Sequence, residues 1–332
     1  MSELAIVGAG SWGTALAIVL APNFPRVRLW VYESDLAARM RDTAINDVYL
    51  PGFRLPANVS VTTKFGEALP GAGILLGVMP SHLVRAIYTR MLPFLDPAML
   101  FVSATKGLEN GTLMRASEVI REVLCARFEP RVAVVSGPTF AREVARGDPT
   151  ALVVASADES LAATIQARFS GPTFRLYTSP DTAGVEIGGA VKNVVAIGAG
   201  VCHGLGLGSN TQAALITRGL AEMTRLATAL GGRPQTLAGL AGLGDLVLTC
   251  SGELSRNRSV GLELARGRQL DEIVRSMNMV AEGIKTTTAT VELARRLQVD
   301  MPISTQMYEM LNSGLPPREA IRKLMERALK SE

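Results

Sequence analysis

Leu4-Ala5-Ile6-Val7-Gly8-Ala9-Gly10-Ser11-Trp12-Gly13 is the stretch that decides the fold. Four apolar residues read as a buried strand. The next six spell GxGxxG, and Ser11 to Leu20 reads as a helix. Alone the glycine pattern is weak; between a strand and a helix it is a dinucleotide-binding signature. Gly8 permits the tight turn, Gly10 lets the backbone approach a pyrophosphate, and Gly13 allows close packing of helix on strand. The helix N-terminus favours the anion. The plainer reading is a mere strand–helix turn. An acid is expected about 20 positions on, after the second strand, and Glu33 stands 20 residues past Gly13. A carboxylate there accepts hydrogen bonds from a ribose 2′-hydroxyl and repels a 2′-phosphate, which favours NAD over NADP. Its plainer reading is a solvated acid at a helix entry.

The same opening holds an uncharged run of 22 residues, Leu4 to Pro25. That is long enough to suggest a signal peptide or a membrane span. The flank contains Glu3 and neither Lys nor Arg, and Gly8, Gly10, Gly13, Pro22 and Pro25 interrupt the run. Strand, turn and helix fit better, so no membrane insertion is expected.

Outward from this stretch, strands recur at 27–32, near Ser60, and at 74–78, 99–102, 132–135, 151–155 and 173–177. Helical stretches fall at 35–43, 81–92, 112–126 and 159–169. Such alternation implies an α/β, Rossmann-like domain with a mostly parallel sheet covered on both faces. From about Asp181 only helical patterns follow, separated by Gly and Pro. The expected division is therefore a dinucleotide-binding domain over residues 1–180 and an all-helical substrate and catalytic domain over 181–332.

The chain has 332 residues, 48% of them apolar, and a net charge of +4. That excess does not imply nucleic acid. Of 34 cations, 28 are Arg and only 6 are Lys, and His82 and His203 are the only histidines. A His-rich metal site is poorly supplied, and no metal is expected. Proton transfer therefore turns attention to the scarce lysines. Cys125, Cys202 and Cys250 are far apart and form no CxxC pair, which points to a reducing cytoplasm.

Four later segments are odd for plain structure. Ala104-Thr105-Lys106-Gly107-Leu108-Glu109 and Ser136-Gly137-Pro138-Thr139-Phe140-Ala141 each follow a strand, where open α/β sheets bind ligands, the latter with a helix start at Thr139. Ordinary βα loops are the alternative. Gly188-Gly189-Ala190-Val191-Lys192-Asn193 continues to Gly200 as an apolar helix with four glycines. Each interior glycine costs about 1 kcal/mol against alanine, so either close helix packing or close approach of a ligand must compensate. Lys192 is the only charge between Glu186 and Arg218, with His203 neutral. Desolvation lowers the pKa of such an amine and suits it to proton transfer; a lysine snorkelling to water is the alternative. Asp245 and Thr249, in Ala241-Gly242-Leu243-Gly244-Asp245-Leu246-Val247-Leu248-Thr249-Cys250, share a helix face. Asp245 either holds a lysine or caps a helix. Ser255-Arg256-Asn257-Arg258 offers guanidinium forks for phosphate, or is a polar helix start.

Together these blocks resemble the NAD(P)-dependent sn-glycerol-3-phosphate dehydrogenases of the bacterial soluble type. GAGSWGTALA, ATKGLE, SGPTFA, GGAVKNVVAIGAG, AGLGDLVLTC and SRNR are similar to the family's blocks in order and spacing, from about Leu4 to Leu329. The resemblance implies an active site between a Rossmann-like domain and a helical one. The reaction it implies is reversible reduction of dihydroxyacetone phosphate with NADH or NADPH, supplying phospholipid synthesis. Lys192 then corresponds to the proton donor, and Lys106 to a lysine contacting substrate and cofactor. Asp245, Asn193 and Thr249 match polar residues around the catalytic lysine. Gly137, Thr139, Ser255, Arg256 and Asn257 match substrate contacts, with Arg256 also near the cofactor. Ser11, Trp12, Ala141, Val280 and Glu282 match cofactor contacts. The family usually forms dimers, which implies a homodimer.

Two departures stand out. Tyr32 and Glu33 occupy the end of the second strand, where many members carry Arg or His, which favours NAD while Arg256 leaves dual use open. His203 replaces a usual acid. The alternatives are another β-hydroxyacid-type dehydrogenase, against which the SRNR and AGLGDLVLTC blocks argue, and a dinucleotide-binding protein without turnover.

Overall fold

A computed structural model describes residues 3–277 and 281–329. Eight strands form one sheet: β1 (Glu3–Val7), β2 (Val27–Trp30), β3 (Val59–Thr62), β4 (Ala72–Gly77), β5 (Leu100–Ser103), β6 (Arg131–Ser136), β7 (Thr150–Ala155) and β8 (Phe174–Ser179). Their order is β3-β2-β1-β4-β5-β6-β7-β8, and every pairing is parallel except β6 with β7. The expected mostly parallel sheet is present. It is covered on both faces because successive side chains alternate. Leu4 and Ile6 enter one core with Ala15, Leu16 and Leu20 of the Ser11–Leu20 helix. Ala5 and Val7 enter another with Val84, Tyr88, Val119 and Ile120. Burying each Val, Leu or Ile contributes roughly 1.5–3 kcal/mol, so the uncharged opening run is explained as core. Chain order reverses between β1 and β4, which places a crevice outside the carboxyl ends of those strands.

Past β8 the described chain is helical. Its centre is the Thr182–Gly204 helix, buried at every position from Ala183 to Cys202. This helix is long and apolar enough to span a membrane, but its 18-residue apolar window is wholly buried inside the fold. A helix apolar on all sides belongs in a core. Its glycines are mainly explained by packing. A Cβ on Gly188 would strike the Ala241 carbonyl and one on Gly200 the Arg258 carbonyl; on the facing Arg256–Ala265 helix, one on Gly261 would strike the Ile197 carbonyl. Gly189 differs, because it faces the Ser136 hydroxyl and the stem of Lys106. The helical part is tied to the sheet part by Glu186. Its buried carboxylate accepts from the Ser117 N–H at 2.9 Å, the Ser117 hydroxyl at 2.6 Å and Arg115 at 3.2 Å.

Two expected boundaries move for local reasons. The helix expected from Thr112 begins at Ala116. The Thr112 hydroxyl donates to Glu109 and Gly111 adopts φ +87, so a turn holds the chain until Arg115. The helix expected at Thr139 begins at Ala141, because the Thr139 hydroxyl is engaged with Gly137 and Lys106. The Ser255–Arg258 block is a polar helix start, the helix beginning at Arg256 with the Ser255 hydroxyl accepting from the Arg258 N–H.

Candidate active site

The loops after β1, β2, β4, β5 and β6 leave the sheet at one end. After β1, Gly8 has φ +112, which a side chain rarely tolerates. A Cβ there would strike the Val78 backbone, and a Cβ on Gly13 would strike the Gly8 carbonyl. Gly10 has none of the described residues within 4 Å of its Cβ position. The Ser11–Leu20 helix has no side-chain cap, so its first N–H groups face that open ground. The Trp12 Nε1–H is buried and meets no acceptor among the described residues. An uncapped helix start, an open glycine surface and an unmatched donor fit a dinucleotide pyrophosphate. After β2, Tyr32 is 69% exposed. Glu33 lies next to it, its carboxylate accepting from the Tyr49 hydroxyl at 2.7 Å.

The chemistry-bearing cluster forms where the loops after β5 and β6 meet two helices. Lys106 Nζ donates to the Gly137 carbonyl (2.9 Å), the Thr139 hydroxyl (3.1 Å) and Asp245 Oδ2 (2.9 Å). Lys192 Nζ donates to Asp245 Oδ1 and to the Thr249 hydroxyl, the latter at 2.9 Å. One carboxylate therefore bridges two ammonium groups. Asp245 is fully buried and Lys192 is 5% exposed, so this lysine does not snorkel. Asp245 is the first residue of the Asp245–Ser251 helix and its carboxylate holds both lysines; the cap position is Gly244. Thr249, one turn on, donates to the Asp245 carbonyl at 2.6 Å, which keeps its oxygen turned toward Lys192.

The donor count separates the two lysines. An ammonium has three N–H donors. Lys106 spends all three on protein, whereas Lys192 spends two and its third meets no acceptor among the described residues. Burial lowers the Lys192 pKa to about 8; Asp245 opposes that fall, and Lys106 adds to it. Lys192 is thus largely protonated at neutral pH, yet close to its point of proton release.

A second cluster adjoins the first. Asn257 Nδ2 donates to Asn193 Oδ1 at 2.9 Å, and the Gly283 N–H donates to Asn257 Oδ1 at 3.0 Å. Much of the hydrogen-bonding capacity of both asparagines is thus spent on joining three helices. Gly283 escaped the sequence reading; it must be glycine because a Cβ would strike Asn257 and the Asn193 carbonyl. This bond sets the start of the Glu282–Arg296 helix. Burial pushes the Glu282 carboxyl up to about 7, opposed by Arg256, Lys106 and Lys192. Arg256 itself is exposed at the start of its helix. Ala141 opens the Ala141–Arg146 helix beside the β6 loop. Val280, expected at the cofactor, lies outside the described residues. His203 is exposed at the far end of the Thr182–Gly204 helix, eleven residues from Lys192. Among the described residues no three His, Cys, Asp or Glu side chains gather as metal ligands would.

A doubly wound sheet with a glycine turn, and beyond its strand ends a desolvated lysine held by a carboxylate, define a nicotinamide-dinucleotide oxidoreductase. The family comparisons narrow that class. Residues 3–162 match the model described as NAD-dependent glycerol-3-phosphate dehydrogenase N-terminus, and residues 181–322 match the corresponding C-terminus. A Koribacter versatilis protein named glycerol-3-phosphate dehydrogenase [NAD(P)+] is 57% identical, over 100% of this chain and 99% of its own. The crystal structure of glycerol-3-phosphate dehydrogenase from Coxiella burnetii is 42% identical with a TM-score of 0.94, covering 98% of this chain and 99% of that one. The chain belongs to the NAD-dependent glycerol-3-phosphate dehydrogenase family. A ketopantoate reductase from Ralstonia eutropha, 18% identical with a TM-score of 0.61 over 96% of this chain and 99% of its own, shares the fold alone.

Proposed function

We propose that this protein catalyses the reversible NAD(P)H-dependent reduction of dihydroxyacetone phosphate to sn-glycerol 3-phosphate, with Lys192 as the proton donor. The observation that carries the reading is the unspent N–H of a buried lysine whose pKa lies near 8. A bound nicotinamide cofactor supplies the hydride. Lys192 gives its proton to the oxygen at C2 as that carbon is reduced, and becomes a neutral amine. Asp245 keeps Lys192 oriented. Lys106, fixed by its three protein bonds, lies beside the substrate and adds positive charge to a site that must hold a phosphate. Gly137, Thr139, Asn193, Thr249, Ser255, Arg256 and Asn257 complete the substrate contacts, with Arg256 as the phosphate fork. Gly8, Gly10, Ser11, Trp12, Gly13, Tyr32, Glu33, Lys106, Ala141, Arg256 and Glu282 line the cofactor. The same reading divides the chain after residue 180 and has it working as a cytoplasmic homodimer that supplies glycerophospholipid synthesis.

Initial rates with dihydroxyacetone phosphate and each reduced cofactor test this directly. Turnover with a keto acid and none with the triose phosphate would overturn it. The pH dependence tests the proton donor. Reduction needs the ammonium, so its kcat/KM is expected to be level below about pH 8 and to fall above it. Oxidation of glycerol 3-phosphate needs the free amine and should rise through the same pH. A reduction rate that climbs across that range would count against Lys192. The cofactor reading has its own check. Glu33→Ala removes the charge that repels a 2′-phosphate, and the kcat/KM ratio for NADH over NADPH is expected to fall about tenfold, the value of roughly one charge-assisted interaction. An unchanged ratio would remove Glu33 from the ribose site.

A further inference from the structure

The loop between residues 44 and 55 was silent in the sequence, yet it reaches both halves of the dinucleotide site. Tyr49 donates its hydroxyl proton to Glu33 Oε1 at 2.7 Å. Its own backbone N–H donates to Asn46 Oδ1 at 2.9 Å. Asn46 is fully buried, and its Nδ2 donates to the Ala9 carbonyl and to the Thr14 hydroxyl, each at 2.8 Å. Ala9 lies inside the glycine turn. The loop is fastened further by the fully buried Leu50, whose N–H donates to the Asn46 carbonyl at 3.1 Å. A continuous hydrogen-bonded path therefore runs from the pyrophosphate turn, through Asn46 and Tyr49, to the carboxylate after β2.

We propose that Tyr49 is a positioning residue that sets cofactor choice, by holding the Glu33 carboxylate where a ribose diol is accepted and a ribose 2′-phosphate is refused. The proposal rests on the reading of Glu33 as the ribose carboxylate. An exposed glutamate samples several rotamers, and ordering it costs side-chain entropy. A glutamate free to turn away would bind the diol weakly and would step aside for a phosphate. Held by Tyr49, it keeps Oε2 and part of Oε1 available as acceptors for a 2′-hydroxyl. It also keeps its charge in the place a phosphate would need. Burial and the neighbouring carboxylate push the Tyr49 phenol up to about 12, so it remains a neutral donor over the working pH range.

Tyr49→Phe keeps the ring and deletes only the donor. Equilibrium dissociation constants for NADH and NADPH, read by nicotinamide fluorescence on the full-length protein, test the idea. The expected result is movement in opposite directions: NADH weaker by about fivefold and NADPH tighter by about twofold, together near one charge-assisted hydrogen bond at a partly exposed site. Weakening of both cofactors by the same factor would mean that Tyr49 only supports the loop, and would overturn the proposal. Glu33→Ala separates the proposal from its premise. If Glu33→Ala leaves the NADH-to-NADPH ratio unchanged, the ribose reading itself fails. If Glu33→Ala changes the ratio and Tyr49→Phe does not, the positioning role alone fails. Tyr49→Phe added to Glu33→Ala is expected to shift the ratio no further; a further shift would show Tyr49 acting without Glu33.

Discussion

Replacing Lys192 with alanine is expected to lower kcat for dihydroxyacetone phosphate reduction by about 10³-fold, within the 10²–10⁴ range of a positioned general acid. In the proposed mechanism the proton reaches the C2 oxygen from Lys192, because Lys106 spends its three donors on protein. NADH affinity should change little, since Lys192 sits among Asp245 and Thr249, apart from the glycine turn. Removing the amine also leaves Asp245 with one cationic partner rather than two. The measurement is steady-state kcat beside a cofactor titration. A kcat within a few-fold of the parent would dismiss the role. Small primary amines added to the medium should restore part of the rate if the loss is one of proton delivery rather than of folding.

Asp245→Asn is expected to cost nearly as much, about 10²-fold in kcat/KM at pH 7, by a different route. Asp245 is fully buried and bridges Lys106 to Lys192. Losing one partner of a buried ion pair usually destabilises by about 3–5 kcal/mol. Here the cost is capped, because Lys192, already near pH 8, can shed its proton. The sign of the shift follows: the carboxylate raises the Lys192 pKa, so its removal lowers it, and less of the donor is protonated at neutral pH. Reduction should then decline from a lower pH than in the parent, while oxidation keeps more of its rate. Matching pH profiles for parent and variant would show that the bridge does not tune Lys192.

Much of the site was legible residue by residue. GxGxxG after an apolar strand needs only local spacing to be recognised, and it lies where the sheet reverses order. Lys192 was conspicuous as a lone charge in an apolar helix, and its burial follows from that composition. Asp245 and Thr249 were paired by their helical spacing and do share Lys192. Other features had no local signal. Nothing near Tyr49 marks it as a partner of Glu33, because the contact is made by a loop folding back across 16 positions. Gly283 was overlooked since its constraint comes from Asn257 and the Asn193 carbonyl, on two other helices. The glycines of the central helix looked equally suited to packing or to a ligand, and only the neighbouring backbones distinguished the two.

What the sequence by itself determined was the set of local devices: alternating strands and helices, the phosphate turn, an apolar helix bearing one lysine, and an acid after the second strand. Hydrophobic periodicity and turn chemistry act over a few residues, so they can be read along the chain. Only the tertiary structure decided which of those devices work together. Asp245 meets Lys192 across 53 positions and Lys106 across 139. The meeting sets how many donors each lysine keeps and how far each is desolvated, because both depend on neighbours brought in by packing. A pKa near 8 is thus a property of the assembled core and of no segment alone.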